Sequence, residues 1–286
     1  MDKVTIWAPA KLNLTLDVKG KRPDGYHELE TIMQAISLKD KITIDKANTI
    51  IVNSNSSQLS NDANNLAYYA AELFFQKTGK KAGVNIYIEK NIPIGAGLAG
   101  GSSNAAAVLL GLNHLYQTKL SLKDLAELAL EIGSDVPFCI FNRTALARGR
   151  GEILSPLPGG HTLKFLLVKP NFSVATKDVF GQLDLDKIKR RPNNEAFIKA
   201  WQDMDLDNMA LEMINVLEAV TVSLYPEIGL IKQKLLELGA FSAVMSGSGP
   251  SVFALFKEVN KLKTAYDYFV SNYDETYIVS SYIRSE

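Results

Sequence analysis

The feature that most constrains this chain is the run Pro93-Ile94-Gly95-Ala96-Gly97-Leu98-Ala99-Gly100-Gly101-Ser102-Ser103, followed by a helix entered at Asn104. Ala105, Val108, Leu109, Leu112 and Leu115 supply that helix's apolar face. Glycines let backbone N–H groups approach an anion without interference from Cβ, and a helix start adds unpaired donors and the positive end of the dipole. The segment therefore reads as a phosphate cradle, with a flexible loop as the plain alternative. Gly95, Gly97 and Gly100 formally satisfy G-x-G-x-x-G. A dinucleotide fold would, however, place an acidic strand end about 20 residues on, where this chain is leaving a helix. No Lys precedes Ser102 as a Walker A loop requires, so cations for a phosphate must come from elsewhere.

Length and composition narrow the field further. A chain of 286 residues suggests two domains and can bury enough surface to fold without staples. Cys139 is the single cysteine, and His27, His114 and His161 are scattered, which argues against disulfides and a His/Cys metal cluster and fits a reducing compartment. The 31 basic residues balance 31 acidic ones. That balance disfavours nucleic acid as partner and favours a small molecule. The first nine residues lack a long apolar stretch, and no run approaches the ~18 apolar residues of a membrane span, so a soluble, cytoplasmic protein is expected. Monomer and homodimer both remain open.

Alternation of Leu12, Leu14, Leu16 and Val18 with Lys11, Asn13, Thr15 and Asp17 predicts a half-buried strand with a polar face, ending at the turn 20–25. Further strands are expected around 41–45, 49–53 and 84–89, and a helix over 64–77. Ser121 with Asp124 predicts a capping box for a helix over 122–132, with Gly133 as its C′ glycine. After a β-like 144–149, the run Pro156-Leu157-Pro158-Gly159-Gly160 reads as a linker, placing domains at 1–157 and 158–286. Beyond it, strands are expected at 163–168, 243–245, 252–256 and 276–283, with helices at 226–238, closed by Gly239, and 262–270, giving an α+β layer.

Three more segments carry chemistry. Parity puts Lys11 and Asn13 on one strand face, able to reach one ligand together, although an ordinary surface lysine would look the same. Gly133-Ser134-Asp135-Val136-Pro137 places Asp135 at a helix start, as a cap, as an acceptor for a substrate hydroxyl, or as both. Ser246-Gly247-Ser248-Gly249-Pro250 lies between two short strands, where a hairpin connection and a second anion nest are equally compatible.

Taken together, Pro9-x-Lys11-Leu12-Asn13-Leu14, the 93–103 loop with Asn104-Ala105-Ala106, and the 246–250 run resemble the three motifs of the GHMP kinases, in family order and across nearly the whole chain. Arg22-Pro23-Asp24-Gly25-Tyr26-His27 and Gly133-Ser134-Asp135-Val136-Pro137-Phe138 most resemble the members that phosphorylate 4-(cytidine 5′-diphospho)-2-C-methyl-D-erythritol in the non-mevalonate isoprenoid route. The resemblance implies an N-terminal domain like ribosomal protein S5 domain 2, a ferredoxin-like C-terminal domain, and a cleft between them. It implies ATP and Mg²⁺, with a small cytidine diphosphate substrate phosphorylated on its 2-hydroxyl. Asp135 would accept the hydroxyl proton, and Lys11 would orient that carboxylate and stabilise developing charge. Residues Pro93, Ile94, Gly95, Ala96, Gly97, Leu98, Ala99, Gly100, Gly101, Ser102 and Ser103 would hold ATP, with Asn65 and Leu66 bordering adenine and Ser103 supplying a hydroxyl near Mg²⁺. Tyr26 would stack on cytosine and His27 would hydrogen-bond to it. Phe180 is the candidate for the base's second face, or else a core residue on a short helix. Asn13, Ser246, Gly247, Ser248 and Gly249 complete the substrate set. Alanines at 96 and 99 stand where members of the family sometimes have glycine, and alanine tolerates most loop conformations except φ > 0. Two rivals remain: another GHMP kinase, of homoserine or mevalonate type, and a noncatalytic nucleotide sensor or RNA-binding module.

Overall fold

A computed structural model describes residues 2–284. Two long strands, β1 (Lys3–Lys21) and β2 (His27–Ala47), form an antiparallel hairpin whose register shifts at three places, between Pro9 and Lys11, Asn13 and Thr15, and Val18 and Gly20. β3 (Ile50–Ser54) lies parallel to β4 (Gly83–Glu89), which pairs with the second half of β2. The first half of β2 pairs instead with β5 (Ala145–Gly149), and β5 with β6 (Ile153–Pro156). Helices α1 (Leu66–Thr78), α2 (Gly100–Leu115), α3 (Leu122–Ile132) and α4 (Val136–Phe141) cover this six-stranded sheet, enclosing Ile42, Ile44, Ile86 and Ile88 with Phe74, Val108, Leu112 and Phe138.

The second sheet is built from β7 (Lys164–Lys169), β8 (Ser242–Met245), β9 (Val252–Leu255) and β10 (Glu275–Ser280) in the antiparallel order β10-β7-β9-β8. Between β7 and β8 the chain runs through α5 (Thr176–Gly181), α6 (Asn194–Gln202), α7 (Leu206–Glu212), α8 (Glu218–Leu224) and α9 (Pro226–Glu237). The crossover from β9 to β10 is α10 (Val259–Val270). A fourth strand beside the first and a hairpin joining the second and third is the ferredoxin-like arrangement, so the fold is the expected α+β class.

The hairpin β1–β2 joins the two sheets. Ala10, Leu12, Leu14, Ile32 and Ile36 share one apolar cluster with Phe165, Leu167, Val244 and Phe253 of the second sheet, and with Phe197 and Trp201 of α6. Backbone bonds add to the seam: the Leu16 N–H donates to the Ile214 carbonyl at 2.8 Å, and the Val216 N–H to the Leu16 carbonyl at 3.0 Å.

This seam corrects the expectation that β1 has a solvated polar face. Lys11, Asn13, Thr15 and Asp17 are all at least 96% buried, because α4, α6 and the glycine loop cover the face that the apolar parity leaves. Two further expectations change. α2 begins at Gly100, four residues before Asn104, so the last four residues of the glycine-serine run belong to its first turn. Gly133 ends α3 with φ 172°, an extended conformation open to any residue, rather than the left-handed one of a C′ glycine. The capping box at Ser121 and Asp124 is present in both directions. Helices α5, α7 and α8, at six or seven residues, are too short to display a period in sequence.

Because one apolar cluster spans both sheets, thermal unfolding followed by calorimetry and far-ultraviolet circular dichroism is expected to show a single transition with coincident midpoints. Two separated transitions would show that the halves fold as independent units.

Candidate active site

β1 delivers Lys11 into a closed environment. Lys11 Nζ donates to Asn13 Oδ1 at 2.7 Å and lies 3.3 Å from Asp135 Oδ2. Asn13 is fixed in turn, its amide nitrogen donating to Thr31 Oγ1 at 2.9 Å. The lysine side chain is 5% exposed but the aspartate 35%, so the ammonium is held inside while the carboxylate faces the opening. Asp135 stands at the N-cap position of α4, yet makes no side-chain cap bond. Of the roles open to it from sequence, the cap is therefore not taken, and its oxygens remain available to other partners.

Next to this pair lies the glycine loop. The Lys11 backbone N–H donates to the Leu98 carbonyl at 3.1 Å, tying strand to loop. Gly95 and Gly97 have φ of +64° and +73°. A Cβ on Gly97 would come within 2.2 Å of the Ser246 carbonyl oxygen, so the backbone of this loop packs directly on the backbone of the 246–250 segment. Ala99 caps α2 at φ 55°, ψ 31°, a left-handed conformation that costs a non-glycine residue about 1–2 kcal/mol. Ala96 is absent from the positive-φ residues. Helix geometry leaves the N–H groups of Gly100, Gly101 and Ser102 without intrahelical acceptors. With the dipole behind them they form an anion-binding end.

Several side chains read as ligand contacts are committed to protein partners. The Ser103 hydroxyl donates to the Pro9 carbonyl at 2.7 Å and is 1% exposed, so the serine expected near Mg²⁺ is turned into the core. Ser102, half-buried in the same turn, is the hydroxyl left near the loop surface. Ser246 Oγ donates to the Gly97 carbonyl at 3.0 Å, Ser248 Oγ lies 2.8 Å from Thr176 Oγ1, and a Cβ on Gly247 would sit 3.6 Å from Asn13 Oδ1. Gly249, at φ +91°, completes this turn, which braces the glycine loop rather than presenting free hydroxyls. Asn65 caps α1, accepting from the Ala67 N–H at 3.0 Å, while Leu66 reaches toward Gly101.

A second cluster stands at the β1–β2 turn. The His27 and Phe180 rings lie 5.0 Å apart at 33°, and Tyr26 next to them is exposed. Burial, helped by the charge of Lys21, lowers the His27 pKa from its ordinary value, which keeps the imidazole neutral at pH 7. Cys139 is buried beside the pair; burial and the Asp135 charge push its thiol up, which excludes it as a nucleophile.

One site residue escaped the sequence reading. Asp40 is fully buried on β2 and accepts four hydrogen bonds, from the Asn91 and Ile92 N–H groups at 2.7 and 2.8 Å, from Lys90 Nζ at 2.7 Å and from Asn104 Nδ2 at 2.7 Å. It thus grips both the strand exit before the glycine loop and the helix after it. Burial lowers the Lys90 pKa, opposed by the Asp40 carboxylate. In sequence Asp40 is one charge between two lysines, indistinguishable from a solvated turn residue.

The comparisons with known proteins agree with this geometry. The family models described as "GHMP kinases N terminal domain" and "GHMP kinases C terminal" match residues 65–143 and 194–275. This chain belongs to the GHMP kinase family. A protein of Syntrophomonas wolfei named 4-diphosphocytidyl-2-C-methyl-D-erythritol kinase is 51% identical over 98% of this chain and 99% of its own length. A crystal structure of 4-(cytidine 5′-diphospho)-2C-methyl-D-erythritol kinase, 33% identical, superposes with a TM-score of 0.82 over 97% of this chain and 98% of that one. Homoserine kinase from Cytophaga hutchinsonii reaches a TM-score of 0.78 at 20% identity, covering 99% of this chain and 95% of that one, a likeness of fold alone. No helix among the described residues is long and apolar enough to cross a membrane.

Removing the Asp40 charge strands Lys90 in the core, so Asp40→Asn is expected to cost about 3–5 kcal/mol of stability by chemical denaturation and to raise KM for ATP. A stability change under 1 kcal/mol with unchanged KM would show that the loop is held by other contacts.

Proposed function

We propose that this kinase transfers the γ-phosphoryl group of ATP to the 2-hydroxyl of 4-(cytidine 5′-diphospho)-2-C-methyl-D-erythritol. The observation that carries the reading is the buried Lys11 ammonium, 3.3 Å from the Asp135 carboxylate and bonded through its backbone to the glycine loop. Asp135 accepts the proton of the attacking hydroxyl, a role worth roughly 10²–10⁴ in rate for a positioned base. Lys11, its direction fixed by Asn13, holds that carboxylate and offsets charge developing on the transferring group. Phosphoryl transfer passes through a loose transition state, so positioning and charge stabilisation carry most of the effect. The ATP phosphates lie on the free N–H groups of Gly100, Gly101 and Ser102.

Choice of acceptor rests on the second cluster. An exposed Tyr26 ring offers a face to a flat base, where stacking is worth about 1–3 kcal/mol. Neutral His27, packed on Phe180, can both donate to and accept from the base edge. Homoserine and mevalonate carry no base, which leaves this cluster without a purpose under the rival readings.

Among the described residues no three His, Cys, Asp or Glu side chains gather as a metal site. A single carboxylate, Asp135, together with a phosphate-binding helix end fits a Mg²⁺ carried mainly by the nucleotide phosphates and its own waters, with the half-buried Ser102 in that first helical turn as a candidate hydroxyl. Bound there, the ion would neutralise part of the phosphate charge. The same reading divides the chain at residues 157 and 158, supported by the end of the first sheet at Pro156 and the start of the second at Lys164.

Incubation with ATP and each of the cytidine diphosphate alcohol, homoserine and mevalonate, followed by ADP release, tests the proposal. Turnover is expected with the first at a kcat/KM at least about 100-fold above the others. Preference for homoserine or mevalonate would overturn it, as would ATP binding without turnover of any of the three.

A further inference from the structure

The turn joining β5 to β6 reaches both ends of the site. At Gly151 a Cβ would lie 3.9 Å from Asp135 Oδ1. One residue earlier, the Arg150 guanidinium sits 4.8 Å from the centre of the Tyr26 ring. The turn is fixed through backbone donors, the Arg150 N–H bonding Glu152 Oε2 at 2.6 Å and the Gly149 N–H bonding Glu28 Oε1 at 3.1 Å. A substrate of the class proposed above has the same layout, with its alcohol at Asp135, its base at Tyr26, and two ionised phosphates between them.

Those phosphates call for a cation, and most of the neighbouring cations are engaged, the exposed Lys21 near His27 excepted. Arg22 pairs with Asp24 and Glu28, Arg148 with Glu30, Arg191 with Asp17, Lys19 with Asp17 and Glu30, and Lys11 with Asp135. Arg150 instead rests its guanidinium on an aromatic ring that is 55% exposed, and its charge reaches the exposed Asp24 carboxylate without forming an ion pair with it. A cation–π contact at an exposed site is weak, whereas a guanidinium engages phosphate oxygens with two parallel, charge-assisted hydrogen bonds. The more favourable partner for this side chain is therefore an anion arriving beside Tyr26.

We propose that Arg150 binds the diphosphate of the nucleotide-linked alcohol and so determines which end of that substrate meets Asp135. The proposal rests on the acceptor class argued above. Arg150 adds to it a charge contact that neither the base cluster nor the Lys11–Asp135 pair supplies.

The test compares the intact protein with Arg150→Ala and Arg150→Lys. In NMR titrations, Arg150→Ala is expected to weaken binding of cytidine diphosphate by about tenfold or more, the loss of one charge-assisted contact, while cytidine affinity stays within about twofold. Arg150→Lys should recover part of the loss, because charge survives without the two-pronged geometry. In turnover, KM for the diphosphate alcohol should rise by a similar factor while KM for ATP stays nearly constant. If cytidine and cytidine diphosphate weaken equally, Arg150 acts through the Tyr26 ring and the proposal fails. Unchanged diphosphate affinity in a variant of an enzyme that turns the substrate over also overturns it, and leaves the acceptor class standing. Absence of both turnover and cytidine diphosphate binding in the unaltered protein overturns the acceptor class and this assignment together.

Discussion

The polar edge of β1 cannot face water, and the rest of the site follows from that constraint. Its apolar parity is spent on the second sheet, and helices and the glycine loop close over the other parity. A buried lysine, asparagine, threonine and aspartate must each find a partner, since burying an unsatisfied polar or charged group costs several kcal/mol. Each partner comes from a different part of the chain. Lys11 meets Asp135 of α4, Asn13 meets Thr31 of β2, Thr15 meets Asn194 of α6 at 2.6 Å, and Asp17 meets Arg191 at 2.6 Å. Satisfying one strand thus draws the reactive pair, the loop and the second half into a single arrangement.

The glycine loop depends on rigid neighbours more than on its own flexibility. Asp40 fixes its entry and the helix beyond it, Ser246 is bonded to it from the opposite side, and Ala99 is held left-handed at its junction with α2. Strain of this kind persists only where the surroundings over-determine the backbone. Here the result is a helix end whose free N–H groups are already aimed before any phosphate arrives, so binding need not pay to order them.

Much of this was legible in sequence because the signals were local. The capping box at Ser121 and Asp124 involves four residues, and the strand alternation of 11–18 fixes which side chains share a face. What escaped was non-local. Alternation cannot tell a solvated polar face from one covered by helices over a hundred residues away, so β1 read as half-exposed. For the same reason Asp40 looked like a surface charge, although its partners lie 50 to 64 positions further along. Ser103 and Ser246 have the chemistry of ligand contacts, and only the fold shows that their hydroxyls are used on Pro9 and Gly97. Residue identity located the site, and packing decided which of its atoms are free.

The central claim is that Lys11 and Asp135 work as one unit, the ammonium fixing and balancing the carboxylate that takes the proton. A double-mutant cycle on kcat/KM, using Lys11→Ala, Asp135→Asn and the combined variant with ATP binding measured alongside, tests it most directly. Groups acting together lose their effect together, so the combined variant should be little worse than the poorer single one while ATP still binds. Losses that multiply, each substitution lowering kcat/KM independently of the other, would contradict the account.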